Sequence, residues 1–452
     1  MKNTDKSTDN KTNTGRKKLH QLFFPIFLEI LFMMLAGIVD TLMLSSEGNN
    51  EVGAVGTANT YVGLFLIMFS IISSGMVAVM TQYIGANRPG VARQALKIGL
   101  IFNGIVGVVI TGILIFGAGP ILNVVGIAEN LEEPAKIYLQ TIGIFCMCNA
   151  LTPIISSYLR SFGHTTPTLV ATLVANGLNI ALNAFFLFVM KWGVLGVALA
   201  TGISRVVNLV WVAVAAKRRI KFVQDDNPPK NKEIFTKIVR VGLPAAMETM
   251  LYNIAITLVI SMLNRMDDTG AQVTARSYAM QISNFSYCVS AALANANAIL
   301  VGWHLGAGEY EECARSTRRS ALIGIGAGIT IAGIFAILYQ PIVGIFTDDV
   351  DMINLVGALL VVDIFLEIGR STNLIYGFAL KTSGDAVFPM IIAVVFMFLC
   401  AAGGTWFFGM HLGWLAVGAY IGMALDECVR AIFMCGRWRS GKWKKLKLVD
   451  KK

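Results

Sequence analysis

The sequence predicts an all-α polytopic membrane protein, with twelve transmembrane helices in two six-helix bundles related by a parallel internal repeat. Three observations carry that prediction: the solvent that the composition demands, the spacing of apolar runs, and short motifs that recur at one offset. Of 452 residues, 55% are hydrophobic and 14% charged, and the mean hydropathy is +0.66. Soluble domains hold about 25% charged residues, so a water-soluble fold is excluded. Apolar runs recur along the chain, each long enough to cross ~30 Å of hydrocarbon at ~1.5 Å per residue. Backbone groups in lipid must bond internally, so these runs are expected to be helices.

Taken in order, residues 1–21 are too polar to pack and read as a disordered cytoplasmic tail. The apolar run that follows is too long for a secretory signal. Spans at 22–45, 58–83, 96–119, 134–158, 167–190 and 194–216 make up an N-terminal bundle over residues 22–216. Residues 217–237, "KRRIKFVQDDNPPKNKEIFTK", form a basic linker. Spans at 238–263, 273–302, 319–340, 353–378, 387–409 and 413–435 make up the second bundle, 238–435, and 436–452 is a basic cytoplasmic tail. Lys and Arg concentrate in the termini, the linker, "GANRPGVARQALK" and "ARSTRR", whereas "SSEGNNE", "GIAENLEEP" and "TDDVD" hold none. That alternation places both termini in the cytoplasm of a plasma-membrane protein. The net charge of +10 follows from orientation and anionic headgroups, with no nucleic acid implied. Seven cysteines and four histidines are scattered without metal-ligand or nucleophile spacing, so no metal centre, cofactor or enzyme activity is expected.

The internal repeat is read from four echoes. "FPIFLE" at 24–29 returns as "LPAAME" at 243–248, "LRSFGH" at 159–164 as "LKTSGD" at 380–385, and "GVLGVALATG" at 193–202 as "GWLAVGAYIG" at 413–422. "GAN" at 85 returns as "GAG" at 306, each leading into a basic loop. All four echoes fall at nearly the same offset, close to half the chain. Six spans per half is an even number, so the halves share one orientation, an arrangement used by transporters that rock one bundle against the other.

These motifs, "PIFLE" through "VDTLML", "GANR", "LRSFGHTTP" and "LKTSGDAVFP", resemble the multidrug and toxic compound extrusion (MATE) transporters of prokaryotic type over roughly residues 20–437. The resemblance implies a cation-coupled antiporter, driven by H⁺ or Na⁺, that exports amphipathic and mostly cationic organic compounds. A monomeric carrier of small organic cations in the lipid bilayer is expected. The alternative is a flippase for lipid-linked sugars, whose cavity would hold several cationic groups for a pyrophosphate.

Depth singles out one carboxylate. Asp40 lies about 27 Å above the inner boundary, with Asn179 and Asn183 of the fifth span and Thr201 of the sixth within a few ångströms of that level. One carboxylate, two amides and a hydroxyl suit a proton or Na⁺. An isolated ionised carboxylate is costly in lipid, so Asp40 is expected either to hold a proton or cation or to be a partly solvated residue near the outer surface. One MATE branch places a cation site here, with an N-x-x-x-D pair where this chain reads "NIALN". Arg205, one turn below Thr201, either pairs with a carboxylate such as Asp426 or snorkels, or it reaches Asp40 as a built-in counter-cation.

The second half carries Glu248, Asp363 and Glu367, with Arg370 three residues beyond Glu367. These acids either bind ion or substrate, as the resemblance to another MATE branch implies, or form a structural Glu367–Arg370 pair. In the eighth span the matching positions offer only Tyr278, Gln281, Asn284, Asn295 and Asn297. Met33, Met34, Tyr61, Phe65, Phe69, Tyr252 and Tyr287 are candidates for a cavity that would suit lipophilic cations, or for plain interhelical packing. "GAGIT" at 326–330 reads as helix packing, since no P-loop lysine follows.

Overall fold

The computed structural model describes residues 17–45, 49–125, 128–221, 225 and 227–449. The disordered tail expected at the N-terminus lies, over residues 1–16, outside the described residues, as do parts of three loops and of the C-terminal tail. Among the described residues the chain is helical throughout, with no strand. The first half comprises α1 (Leu19–Ser45), α2 (Asn49–Gly85), α3 (Pro89–Phe116), a short α4 (Ala118–Val125), α5 (Glu129–Ile144), α6 (Cys146–Ser161), α7 (Thr166–Ala184) and α8 (Gly193–Arg219). The second comprises α9 (Asn231–Met266), α10 (Ala271–Ala307), α11 (Tyr310–Ile337), a short α12 (Tyr339–Val343), α13 (Val350–Ser383), α14 (Val387–Phe396) and α15 (Leu415–Arg439).

Among the described residues ten helices are long and apolar enough to cross a bilayer, and the pair α5 and α6 makes an eleventh span. The twelfth, α15, has Asp426, Glu427 and Arg430 within it. The repeat extends to small features. Each half inserts its short helix after the third span, and each fifth span ends in π-helical turns, at Phe185–Val189 and at Thr405–His411. Gly163 and Gly384, in the paired "LRSFGH" and "LKTSGD" motifs, both take positive φ, 77° and 96°. Only glycine adopts that left-handed geometry without strain, which is why both motifs stop their helices there.

The fourth span departs from expectation. In place of one helix over 134–158, α5 and α6 meet at Phe145 with a bend of 48°. The Phe145 ring fills a notch at Gly202 of α8, where an added Cβ would collide with the ring. Its counterpart α13 runs unbroken for 34 residues. Elsewhere the helices extend past their apolar windows, α2 beginning at Asn49 and α3 at Pro89, because the helical hydrogen-bond ladder continues into the polar flanks.

The halves meet along α2, α9 and α10 at the end bearing the basic loops. An added Cβ on Gly85 would run into the Trp303 carbonyl oxygen, and one on Gly306 would run into that of Gln82. Gly75 approaches the Ile238 carbonyl and Gly242 that of Ile71 in the same way. Around these contacts lies one apolar cluster drawn from both halves, including Leu22, Ile26, Met76, Tyr83, Ile238 and Ile299. Trp303 Nε1 donates to the Ser161 carbonyl at 2.8 Å, and Cys288 Sγ touches Met34 Sδ at 3.9 Å. Replacing Gly306 with Val is expected to cost about 1–3 kcal/mol by overpacking. Gly326→Val is expected to be neutral, because nothing lies within 4 Å of that position. Unfolding of the two variants side by side in detergent checks this, and equal stabilities would remove the seam from the account.

Candidate functional site

In the first half, Asp40 is half-buried near the end of α1. Asn183 and Asn179 stand one turn apart on α7, both buried. Asn183 Nδ2 donates to Asp40 Oδ1 at 2.9 Å. With its amide nitrogen turned toward the carboxylate, Asn179 donates to the same oxygen at 2.7 Å and to Oδ2 at 3.3 Å. The other amide atom of Asn179 lies 3.4 Å from Thr201 Oγ1 on α8. The four predicted residues are therefore assembled in one place. Asn183 Oδ1, buried, has no hydrogen-bond partner.

Arg205 follows one turn after Thr201, exposed, and close enough to act electrostatically on both Asp40 and Tyr138. It forms no ion pair with a described carboxylate. The pairing with Asp426 is ruled out, since Asp426 is bound by Arg430 of its own helix at 2.5 Å. Two members of the cluster escaped sequence reasoning. Tyr138 on α5 donates its hydroxyl to Asn59 Oδ1 on α2 at 3.1 Å. Both are polar residues inside apolar spans, and that was the available signal.

Toward the basic-loop end each half carries an ion pair at equivalent positions. Arg160 Nη2 contacts Glu29 Oε1 at 2.6 Å, and Thr168 donates to Glu29 Oε2 at 2.9 Å. Lys381 Nζ contacts Glu248 Oε2 at 2.8 Å. Glu248 is thus held by the start of the "LKTSGD" motif and does not contact Asp363 or Glu367.

The remaining charges of the second half form a network. Glu367 is in contact with Arg370, and Arg430 reaches both Asp426 and Glu427, the latter at 2.9 Å. Asn373 Nδ2 donates to Glu427 Oε2 at 2.8 Å. Arg370 also lies in the electrostatic reach of Asp363, Glu427 and Tyr252. Asp363 is buried beside Ser283 and makes no ion pair among the described residues. A narrow cleft opens onto this network, lined by Tyr252, Leu366, Arg370, Met397, Met423 and Glu427. Arg276 on α10, buried beside Tyr420, was also missed by sequence reasoning.

Two cavity candidates, and several polar or small residues of the eighth and ninth spans, prove to be packing. Phe69 is buried in the core of the first half, and Phe65 packs on the same cluster. Asn297 is buried as a hub that binds Thr317, Ser316 and Ser320 of α11. Tyr278 stacks on Phe346, and Gly328 seats α11 against Ser371 and Glu367. Met33, Tyr252 and Tyr287 remain exposed. Among the described residues no three His, Cys, Asp or Glu side chains group as a metal site. Chemically, the two halves differ: one offers a single carboxylate met by amide donors, the other offers acids mostly neutralised by arginines.

The comparisons with known proteins agree with this scaffold. The MatE family model matches residues 25–185 and 244–407, one segment in each half. The chain is 32% identical over 432 residues to the uncharacterized transporter YisQ of Bacillus subtilis (strain 168), covering 94% of each. It is 26% identical to a probable multidrug resistance protein NorM of Thermotoga maritima, covering 95% of this chain and 93% of the other. A solved outward-facing MATE family transporter of the MOP superfamily superposes with a TM-score of 0.85 at 20% identity, covering 94% of this chain and 96% of that one. A MOP superfamily transporter from Pyrococcus furiosus, described as having a binding pocket of reversed polarity, gives 0.84 at 20% identity over the same shares. A family match across both halves, carried by a multi-pass helical scaffold with the same repeat, identifies this chain as a member of the MatE family of membrane transporters.

Proposed function

We propose that the chain is a proton-coupled antiporter that exports amphipathic, mostly cationic organic compounds by alternating access, with coupling at Asp40. The observation that carries this reading is the pair of amide donors on the Asp40 carboxylate. Sodium requires several converging oxygens. Here the nitrogens of Asn179 and Asn183 face the carboxylate, a second carboxylate is missing at Asn183, and Arg205 already supplies a nearby cation. A proton needs only the carboxylate itself.

Protonation removes the acceptor charge that both amides share, so α1 and α7 are held together less tightly. If the two states of the transporter differ in that contact, proton binding and substrate binding are linked through the difference. Relatives named as probable multidrug resistance proteins support organic substrates of this kind. Exposed Tyr252, Tyr287 and Met33 would receive them by aromatic and thioether contact. The basic loops set the orientation, with both termini cytoplasmic in the plasma membrane. The carrier is taken to act as a monomer. Arg370 and Arg430, beside the cleft of the second half, are already engaged by carboxylates, which weighs against a lipid-pyrophosphate cargo.

The test is efflux of ethidium from proteoliposomes under an imposed pH gradient or an imposed Na⁺ gradient. Asp40→Asn is expected to lower pH-driven efflux by more than about tenfold. Persistence of that efflux would move coupling to Asp363 and Glu367, and efflux driven only by Na⁺ would replace the ion. No efflux under either gradient would favour the lipid-linked sugar flippase. Arg205→Leu is expected to admit Na⁺ as a driving ion, and an unchanged ion dependence would reject its role as counter-cation. Arg430→Ala strands the buried Asp426 carboxylate and takes a partner from half-buried Glu427, and is expected to cost about 3–5 kcal/mol of stability. Thermal unfolding in detergent measures that loss, and an unperturbed melting profile would deny the network its structural role.

A further inference from the structure

The chain does not end at α15. After Gly441, at φ 68°, residues Lys442–Lys445 make one tight turn that buries Trp443. The Trp443 ring stacks on Trp438 with centroids 4.1 Å apart and planes 4° from parallel, and its Nε1 donates to the Trp438 carbonyl at 2.8 Å. The segment then crosses beneath α13. The Leu446 carbonyl lies so near Gly384 that an added Cβ there would collide with it. Leu448 and Val449 are 2% and 8% exposed, and both belong to the apolar cluster shared by the two halves.

The decisive contact is with the other half. Leu448 N donates to Gln82 Oε1 at 2.8 Å, while Gln82 Nε2 donates to the Thr382 carbonyl at 2.7 Å. Gln82 stands on α2, wholly buried, and its own backbone carbonyl is the one that meets Gly306. A side chain of the first half is thereby bonded to the end of α13 and to the C-terminal segment of the second. We propose that residues 442–449 are a strap that holds the transporter closed at its basic-loop end. The strap is anchored covalently and by the tryptophan stack to one half, and docked through Leu448, Val449 and the Gln82 amide on the other.

For that end to open, α2 must leave α10 and α13. Both Gln82 bonds then break, and Leu448 and Val449 lose their apolar surroundings. Closure is stabilised by the strap to the extent that these contacts exist in only one state. This mechanism needs two states but does not depend on which ion drives them.

The experiment is a spin-label pair at Lys97→Cys on α3 and Ala307→Cys at the end of α10, both exposed positions, in the full chain with its seven native cysteines replaced. Double electron–electron resonance in lipid nanodiscs reads the distance between the halves. The intact strap is expected to give one dominant short distance. Deleting residues 447–452 is expected to raise the long-distance population by about tenfold. Should the truncated chain aggregate, Gln82→Leu keeps the tail and breaks both bonds, and a smaller shift in the same direction is expected. An unchanged distance distribution in either variant, with the protein monodisperse, would overturn the proposal.

Discussion

The contact on which this architecture rests is glycine against backbone carbonyl at the seam between the halves. Lipid offers helices no hydrophobic reason to associate, so close approach through small residues has to supply the attraction by van der Waals packing. Gly85, Gly306, Gly75 and Gly242 each face a main-chain oxygen of the opposite half. These contacts set the spacing of α2, α9 and α10. That spacing buries Gln82, seats Trp303 against Ser161, and fixes where the two bundles can part.

A second constraint is that charge within the span of the membrane must be answered. The structure answers it in most places locally, through pairs on one helix or between neighbouring helices: Glu29 with Arg160, Glu248 with Lys381, Glu367 with Arg370, and Asp426 with Arg430. Asp40 is treated differently. Its partners are neutral amides, and the nearby guanidinium of Arg205 makes no ion pair with it. A carboxylate left with only hydrogen-bond donors responds to its own protonation more freely than one clamped by an arginine. For that reason the first half carries the coupling proposal, even though the second half has more acids.

Much of the fold was legible in the sequence, because long apolar runs and a repeat close to half the chain have few structural interpretations. The "GAN" and "GAG" echoes marked the seam itself. The cluster of Asp40, Asn179, Asn183 and Thr201 could be read from depth alone, since helix rise converts sequence position to height. Height does not give azimuth, and the errors follow from that. Phe69, left open between a cavity and interhelical packing, faces the core; Tyr138, bonded to Asn59, was overlooked though it stands within electrostatic reach of Asp40. The bend at Phe145 depended on Gly202, a glycine two spans further along the chain, and no local pattern reports such a notch. Glu248 was grouped with Asp363 and Glu367 as one acidic set, whereas its partner comes from the far end of α13.

The seam has a further property. Gly85 meets the carbonyl of Trp303, and Gly306 meets that of Gln82, and each pair maps onto the other when the halves are exchanged in the register of the repeat. A contact that is its own image under exchange is isologous, the kind that joins identical subunits about a two-fold axis. A single six-helix unit bearing one such glycine and one such carbonyl already holds everything needed to bind a second copy of itself. The present chain is in that sense a homodimer whose subunits have been fused. The bent fourth span and the unequal distribution of acids are the places where the two halves break that symmetry.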